Sequence, residues 1–165
     1  MNLVYYPDPF LDKQVKEVNL EDPGFNPVEL KEQMIECMLS NNGIGLSANQ
    51  VGLDAQVFVM GDSIENSTIC INPTVLQYTS ETVLDVEGCL SFPNIFVKIK
   101  RPKEILAKWY NENLEEQIVK IEGYSAKCYL HEWDHLQGIT FKDRVSKIKW
   151  NMAQKKARKL EKHLA

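Results

Sequence analysis

The run His131-Glu132-Trp133-Asp134-His135 is where the chemistry of this chain is most legible. On a helix, positions i and i+4 stand one above the other, so His131 and His135 can hold a single metal ion together. Glu132 follows the first histidine by about 100° around the helix and can reach a water activated by that ion. A carboxylate there takes the water's proton and makes a nucleophile near neutral pH. The chain has three histidines, and only His163 lies outside the motif. Two histidines still leave a catalytic site of the zinc type one protein ligand short.

The third ligand decides the chemistry. A histidine after a following glycine is absent, because Gly138 is succeeded by Ile139-Thr140-Phe141. Glu161 is the only downstream glutamate, and it stands among Lys155, Lys156, Arg158, Lys159 and Lys162. Such a residue pairs with its lysine neighbours on a solvated helix. Upstream, Glu87-Gly88-Cys89-Leu90-Ser91-Phe92-Pro93 places a cysteine at a turn before a strand-like run. A thiolate is a soft, strong ligand that coordination keeps deprotonated, and this makes Cys89 the better candidate. Cys37, Cys70 and Cys128 each lie inside an apolar stretch and read as small core side chains.

Taken together, Glu87-Gly88-Cys89-Leu90-Ser91 and His131-Glu132-Trp133-Asp134-His135 resemble the peptide deformylases, of bacterial or phage type. A third motif agrees: Gly43-Ile44-Gly45-Leu46-Ser47-Ala48-Asn49-Gln50 is similar to that family's G-x-G-x-A-A-x-Q, with Ser47 in place of the usual alanine. Tyr6-Pro7-Asp8-Pro9 and Leu136-Gln137-Gly138 fit as well, so the likeness spans nearly the whole chain. It implies a hydrolase that removes the formyl group from the initiator methionine of nascent polypeptides and releases formate. Cys89, His131 and His135 would hold one divalent ion, Fe(II) in the cell, with Zn(II), Ni(II) or Co(II) also suited to these donors. Glu132 would be the base, and the Gln50 amide and the Leu90 backbone N–H would hold the oxyanion.

Substrate contacts follow from the same likeness. Gly43 and Gly45 let the backbone approach a ligand closely, so Ile44 and its neighbours can pair edge-on with an extended peptide. Glu87, Tyr124 and Cys128 would line the site, and Glu87 would pair with Arg101. Asp134 lies inside the metal motif, where a carboxylate either orients a ligand histidine or anchors the helix. Lys127 departs from the more apolar relatives, and a lysine there is expected to send its ammonium to water and lend only its stem.

The elements that must position these residues can be read coarsely. Asn26 and Pro27 begin a helix with Glu29 completing a capping box, Leu30, Met34 and Met38 form its apolar stripe, and Gly43 closes it. Strands are expected at 56–60, 67–78, 96–99, 105–110 and 116–121. The metal-motif helix spans about 124–137 after Gly123, and a basic C-terminal helix about 147–163. This pattern predicts an α+β fold, with short, mainly antiparallel sheets around the central helix.

At 165 residues a single domain, 1–165, with a real core is expected. Four cysteines without paired spacing favour a reducing cytosol, that of a bacterium or a phage-infected host. No basic stretch followed by a long apolar core opens the chain, and no run reaches membrane-spanning length. Neither membrane nor DNA is expected as a partner. Charge is uneven: from Lys142 onward nine Lys and Arg face only Asp143 and Glu161, in a chain of net charge −4. The resemblance suggests that this basic helix docks on the ribosome, its apolar residues packed on the domain and its lysines in solvent.

Overall fold

The computed structural model describes all of residues 1–165. Seven strands and three α-helices follow one another as α1 (Pro27–Ser40), β1 (Gly45–Ser47), β2 (Val57–Met60), β3 (Thr68–Tyr78), β4 (Thr82–Cys89), β5 (Phe92–Pro102), β6 (Glu104–Tyr110), β7 (Glu116–Glu122), α2 (Gly123–Leu136) and α3 (Lys147–Leu164). The architecture is α+β. Five strands form one sheet in the order β1-β2-β3-β6-β7, and β4-β5 form a separate two-stranded ribbon, with every pairing antiparallel.

Alternation along the strands divides the core. Val57, Val59, Ile69 and Ile71 meet Leu30, Met34 and Met38 of α1. The intervening Phe58 and Cys70 join Ile105, Ala107, Tyr129 and Leu130, which include residues of α2. The sheet is therefore covered by α1 on one face and α2 on the other. A third cluster, under the ribbon, gathers Phe92, Val97, Ile99, Phe141 and Ala157, with Trp150 of α3 packed against it.

Local chemistry explains the element ends. The Asn26 side chain accepts from the N–H groups of Val28 and Glu29, with Pro27 at the first helical position. The end of α1 differs from the sequence expectation. Asn42, not Gly43, takes the left-handed conformation at φ 57°, while the N–H groups of Asn42 and Gly43 cap the carbonyls of Leu39 and Met38. Asparagine tolerates that conformation, which leaves Gly43 free to approach the cleft. Gly123, at φ 63°, turns the end of β7 directly into α2 with no linker.

Two strands were invisible in the sequence, and one was seen only in part. β1 is three residues long, and β5 extends well beyond 96–99. β4 lies mostly exposed in its ribbon, so it lacks the buried alternation that marks a strand. α3 also packs differently from expectation: Trp150, Ala153 and Ala157 face the body, while Ile148, Met152 and Leu160 are exposed. No helix is long and apolar enough to cross a membrane.

Candidate active site

The site sits where the sheet's free edge, β1, faces the ribbon across α2. Cys89 ends β4, in a stretch where the ribbon's register slips between Glu87↔Val97 and Cys89↔Phe92. His131 and His135 rise from one face of α2. Their ring nitrogens and the Cys89 sulfur all lie within 4.8 Å of one another. Cys89 Sγ stands 3.3 Å from His135 Nε2, which stands 3.2 Å from His131 Nε2.

The donor set fits a bound cation. Burial pushes the His131 pKa down, but the adjoining Cys89 and Glu87 outweigh it and hold the ring's proton above the ordinary histidine range. A positive charge is therefore favoured at that point. Burial and the charge of His131 drive His135 the other way, keeping it neutral.

Behind the histidines runs a chain of linked charges, buried except for Arg144 at its outer end. His131 Nδ1 meets Glu87 Oε2 at 2.9 Å, and Arg101 grips both Glu87 oxygens at 2.7 and 3.0 Å. Arg101 also donates to Asp134 at 2.7 Å, and Arg144 forks onto the same carboxylate at 2.6 and 3.0 Å. Burial raises the Glu87 pKa, yet its bonds to His131 and Arg101 prevail and bring it to about 2. Glu87 thus gives its carboxylate to Arg101 and His131. Asp134 touches no histidine ring and anchors to two arginines instead.

Glu132 is different. It is buried, and its Oε2 has no hydrogen-bond partner in the protein. Burial pushes its pKa up to about 7 against the pull of His131. Gly45 lies so close that any side chain there would strike the Glu132 carboxylate. A carboxylate that lines a cleft with one oxygen unpartnered, and with a pKa raised toward the working range, is equipped to take and return a proton.

Hydrogen-bond donors surround the donor triad. The Gln50 amide oxygen accepts from the Ser47 N–H and hydroxyl, both at 2.9 Å, which turns its NH₂ toward Ser91 Oγ at 3.1 Å and Cys89 Sγ at 3.4 Å. The Leu90 N–H, in the turn between β4 and β5, donates to no acceptor in the protein. Asn49 ties the site to α2, donating to the His135 carbonyl at 2.6 Å. A cleft of about 520 Å³ opens onto these groups, lined by Gly43, Ile44, Gly45, Val86, Tyr124 and Cys128 among others. Lys127 also lines it but does not reach for water. Its ammonium is tied to Asp85 at 2.6 Å and the Val86 carbonyl at 3.1 Å, and lies over the Tyr124 ring.

Sequence reasoning did not find Ser91, Asn49, Arg144 or the Lys127–Asp85 pair. Only Arg144 left a usable hint, as a basic residue just past the helix that carries Asp134. Leu3 and Tyr5 also line the cleft, because the N-terminal arm is pinned by Val4 N–H to the Gln50 carbonyl and Tyr6 N–H to the Ser91 carbonyl.

The family model for polypeptide deformylase matches residues 1–151. The chain belongs to the peptide deformylase family. A peptide deformylase of a Thermotoga maritima strain is 42% identical over 90% of this chain and 89% of its own. One from Wolbachia pipientis wMel is 39% identical over 98% of this chain and 96% of its own. Among solved structures, the Thermotoga maritima enzyme superposes with a TM-score of 0.81 at 40% identity, covering 88% of this chain and 97% of that one. The Synechococcus elongatus enzyme in complex with actinonin gives 0.86 at 32% identity, over 95% and 85%. Deformylases are metal-dependent, and the Cys89–His131–His135 cluster is this chain's candidate metal site.

Proposed function

We propose that residues 1–165 act as one deformylase domain that removes the N-formyl group from the initiator methionine of nascent polypeptides and releases formate. The observation that carries this reading is a buried Glu132, its Oε2 without a hydrogen-bond partner, beside three converging soft and borderline donors. Cys89, His131 and His135 would hold one divalent ion, Fe(II) in the cell, whose Lewis acidity acidifies water and polarises a carbonyl. Glu132 accepts the proton of the attacking water and passes it to the departing amine nitrogen. As negative charge develops on the formyl oxygen, the Gln50 NH₂ and the Leu90 N–H donate to it. The two Ser47 donors fix the Gln50 amide in advance, so little reorganisation is needed at that moment.

Gly43, Ile44 and Gly45 line the cleft beside the free edge of β1, where the substrate's own backbone can pair, and Tyr124 and Cys128 wall the space for its first side chain. Glu87 and Arg101 act through His131, holding its ring in orientation. The exposed lysines of α3 support docking on ribosomal RNA, which would raise the local concentration of substrate in the cytosol. Formate release from formyl-Met peptides, with protein prepared anaerobically in Fe(II), tests the reading. No formate from metal-loaded protein would overturn it.

A further inference from the structure

The solvent face of the β4–β5 ribbon continues the cleft, and it is half apolar and half basic. Along β4 the residues on this face are Leu84, Val86 and Gly88, and along β5 they are Phe96, Lys98 and Lys100. Leu84 pairs directly with Lys100 and Val86 with Lys98. The Phe96 ring covers Gly88 so closely that a Cβ there would stand 2.8 Å from it. Val86, Gly88 and Phe96 line the cleft itself, so the face and the cleft are one surface. Its apolar members are left in water: Phe96 is 63% exposed, Leu84 57% and Val86 44%. Lys98 and Lys100 form no ion pair, although their neighbours Lys103 and Lys127 both do.

We infer that this face binds the stretch of substrate polypeptide that follows its first residues, and that it favours a stretch carrying acidic and apolar side chains. The inference rests on the deformylase reading, because the cleft supplies the substrate. Three features select a polypeptide. The face runs unbroken from the cleft, its apolar strip suits aliphatic side chains, and its two unpaired ammonium groups suit carboxylates. Binding so far from the reacting atoms acts equally on ground and transition states, so the effect belongs in KM and not in kcat. A bland role exists for the same lysines, that of keeping an exposed ribbon from pairing with another copy.

The test compares two formylated pentapeptides, formyl-Met-Ala-Glu-Asp-Leu and formyl-Met-Ala-Lys-Lys-Leu, with the Fe(II) enzyme at low salt. The acidic peptide is expected to show kcat/KM higher by about five- to tenfold, through KM, with most of the advantage lost in concentrated salt. K98Q/K100Q should erase the preference, and K98E/K100E should reverse it. Both positions are exposed, and equal melting temperatures of the variants verify that each is folded. Equal kcat/KM for the two peptides, or a preference that survives K98E/K100E, overturns the inference and leaves the lysines to the bland role. Turnover of formyl-Met-Ala separates the two failures: its absence in the unaltered enzyme defeats the deformylase reading, whereas turnover without acidic preference defeats only the docking face.

Discussion

Replacing Gly45 with alanine tests the placement of Glu132 without removing any chemical group. The added Cβ would lie against Oε1 of Glu132, 2.8 Å from its Cδ and 2.9 Å from Cys128 Sγ. Carbon contacts settle at about 3.5–4.0 Å, so roughly an ångström of space has to be found. The β1 backbone is held through its pairing of Gly45 with Met60, and Cys128 is buried in α2. The Glu132 carboxylate is the freest of the neighbours, being the end of a long side chain whose Oε2 is unbonded. It should move. A catalytic group misplaced by about 1 Å costs on the order of 100-fold in rate, whereas overpacking costs about 1–3 kcal/mol in stability. The expected result is a fall in kcat/KM for formyl-Met-Ala-Ser of roughly two orders of magnitude. Metal content should stay near that of the unaltered protein, and the melting temperature should drop only slightly. Retention of more than about a third of the activity with metal in place would refute the assignment of Glu132 as the base.

Four further outcomes are expected. Glu132→Gln should retain metal while turnover drops by several orders of magnitude, and loss of metal instead would make Glu132 a structural residue. The same variant carries a pH signature in metal-free protein. A carboxyl raised from 4.5 to about 7 contributes stability that is full below 4.5 and lost as pH rises through 7. E132Q should therefore match the unaltered protein in acid and exceed it above pH 7 by up to about 3 kcal/mol in urea unfolding. A hydroxamate bearing a methionine-like side chain should inhibit far better than the corresponding plain amide, and equal inhibition would mean that no metal is reached. Reversing Lys155, Lys156, Lys159 and Lys162 to glutamate should abolish salt-sensitive co-sedimentation with ribosomes but spare small-peptide kinetics; unaltered co-sedimentation returns α3 to a packing role.

What could be read in advance depended on whether the signal was local. The metal helix was legible because two histidines and a glutamate at helical spacing carry their geometry with them. α1 was legible from Asn26, Pro27 and the Leu30–Met34–Met38 stripe. β4 was not, since a strand exposed over most of its length offers no clean alternation, and its Leu84 and Val86 face water beside lysines. The end of α1 was misplaced by one residue because asparagine and glycine share the left-handed conformation, and only the backbone shows that Asn42 took it. Arg144 reaches Asp134 from ten residues further along the chain, and Lys127 reaches Asp85 across 42. Such pairings belong to the folded arrangement. For α3, the small residues Ala153 and Ala157 pack with Trp150, while the larger Ile148 and Met152 stay outside. Hydrophobicity alone would have chosen the opposite face.

The linked charges behind the site make a statement about the ion it would hold. Arg144, Asp134, Arg101 and Glu87 alternate in sign along one hydrogen-bonded chain, and they cancel. Such networks add little net stability, because desolvation consumes most of the Coulomb attraction. Their value here is orientation: with Nδ1 of His131 fixed on Glu87, its Nε2 is left to face Cys89 and His135. Two groups of the site stand outside this balance. Cys89, as the thiolate that a metal requires, and Glu132, as the carboxylate that a base requires, together bring two negative charges into a buried pocket. One divalent cation cancels both. A monovalent ion would leave one charge uncompensated, and a trivalent ion would leave an excess that lowers the Glu132 pKa and weakens it as the acceptor of the water's proton. Burial acts on the protons of the site as well: at His131 it is outweighed by Cys89 and Glu87, which hold the proton on the ring, and at Glu132 it lifts the carboxyl toward neutrality.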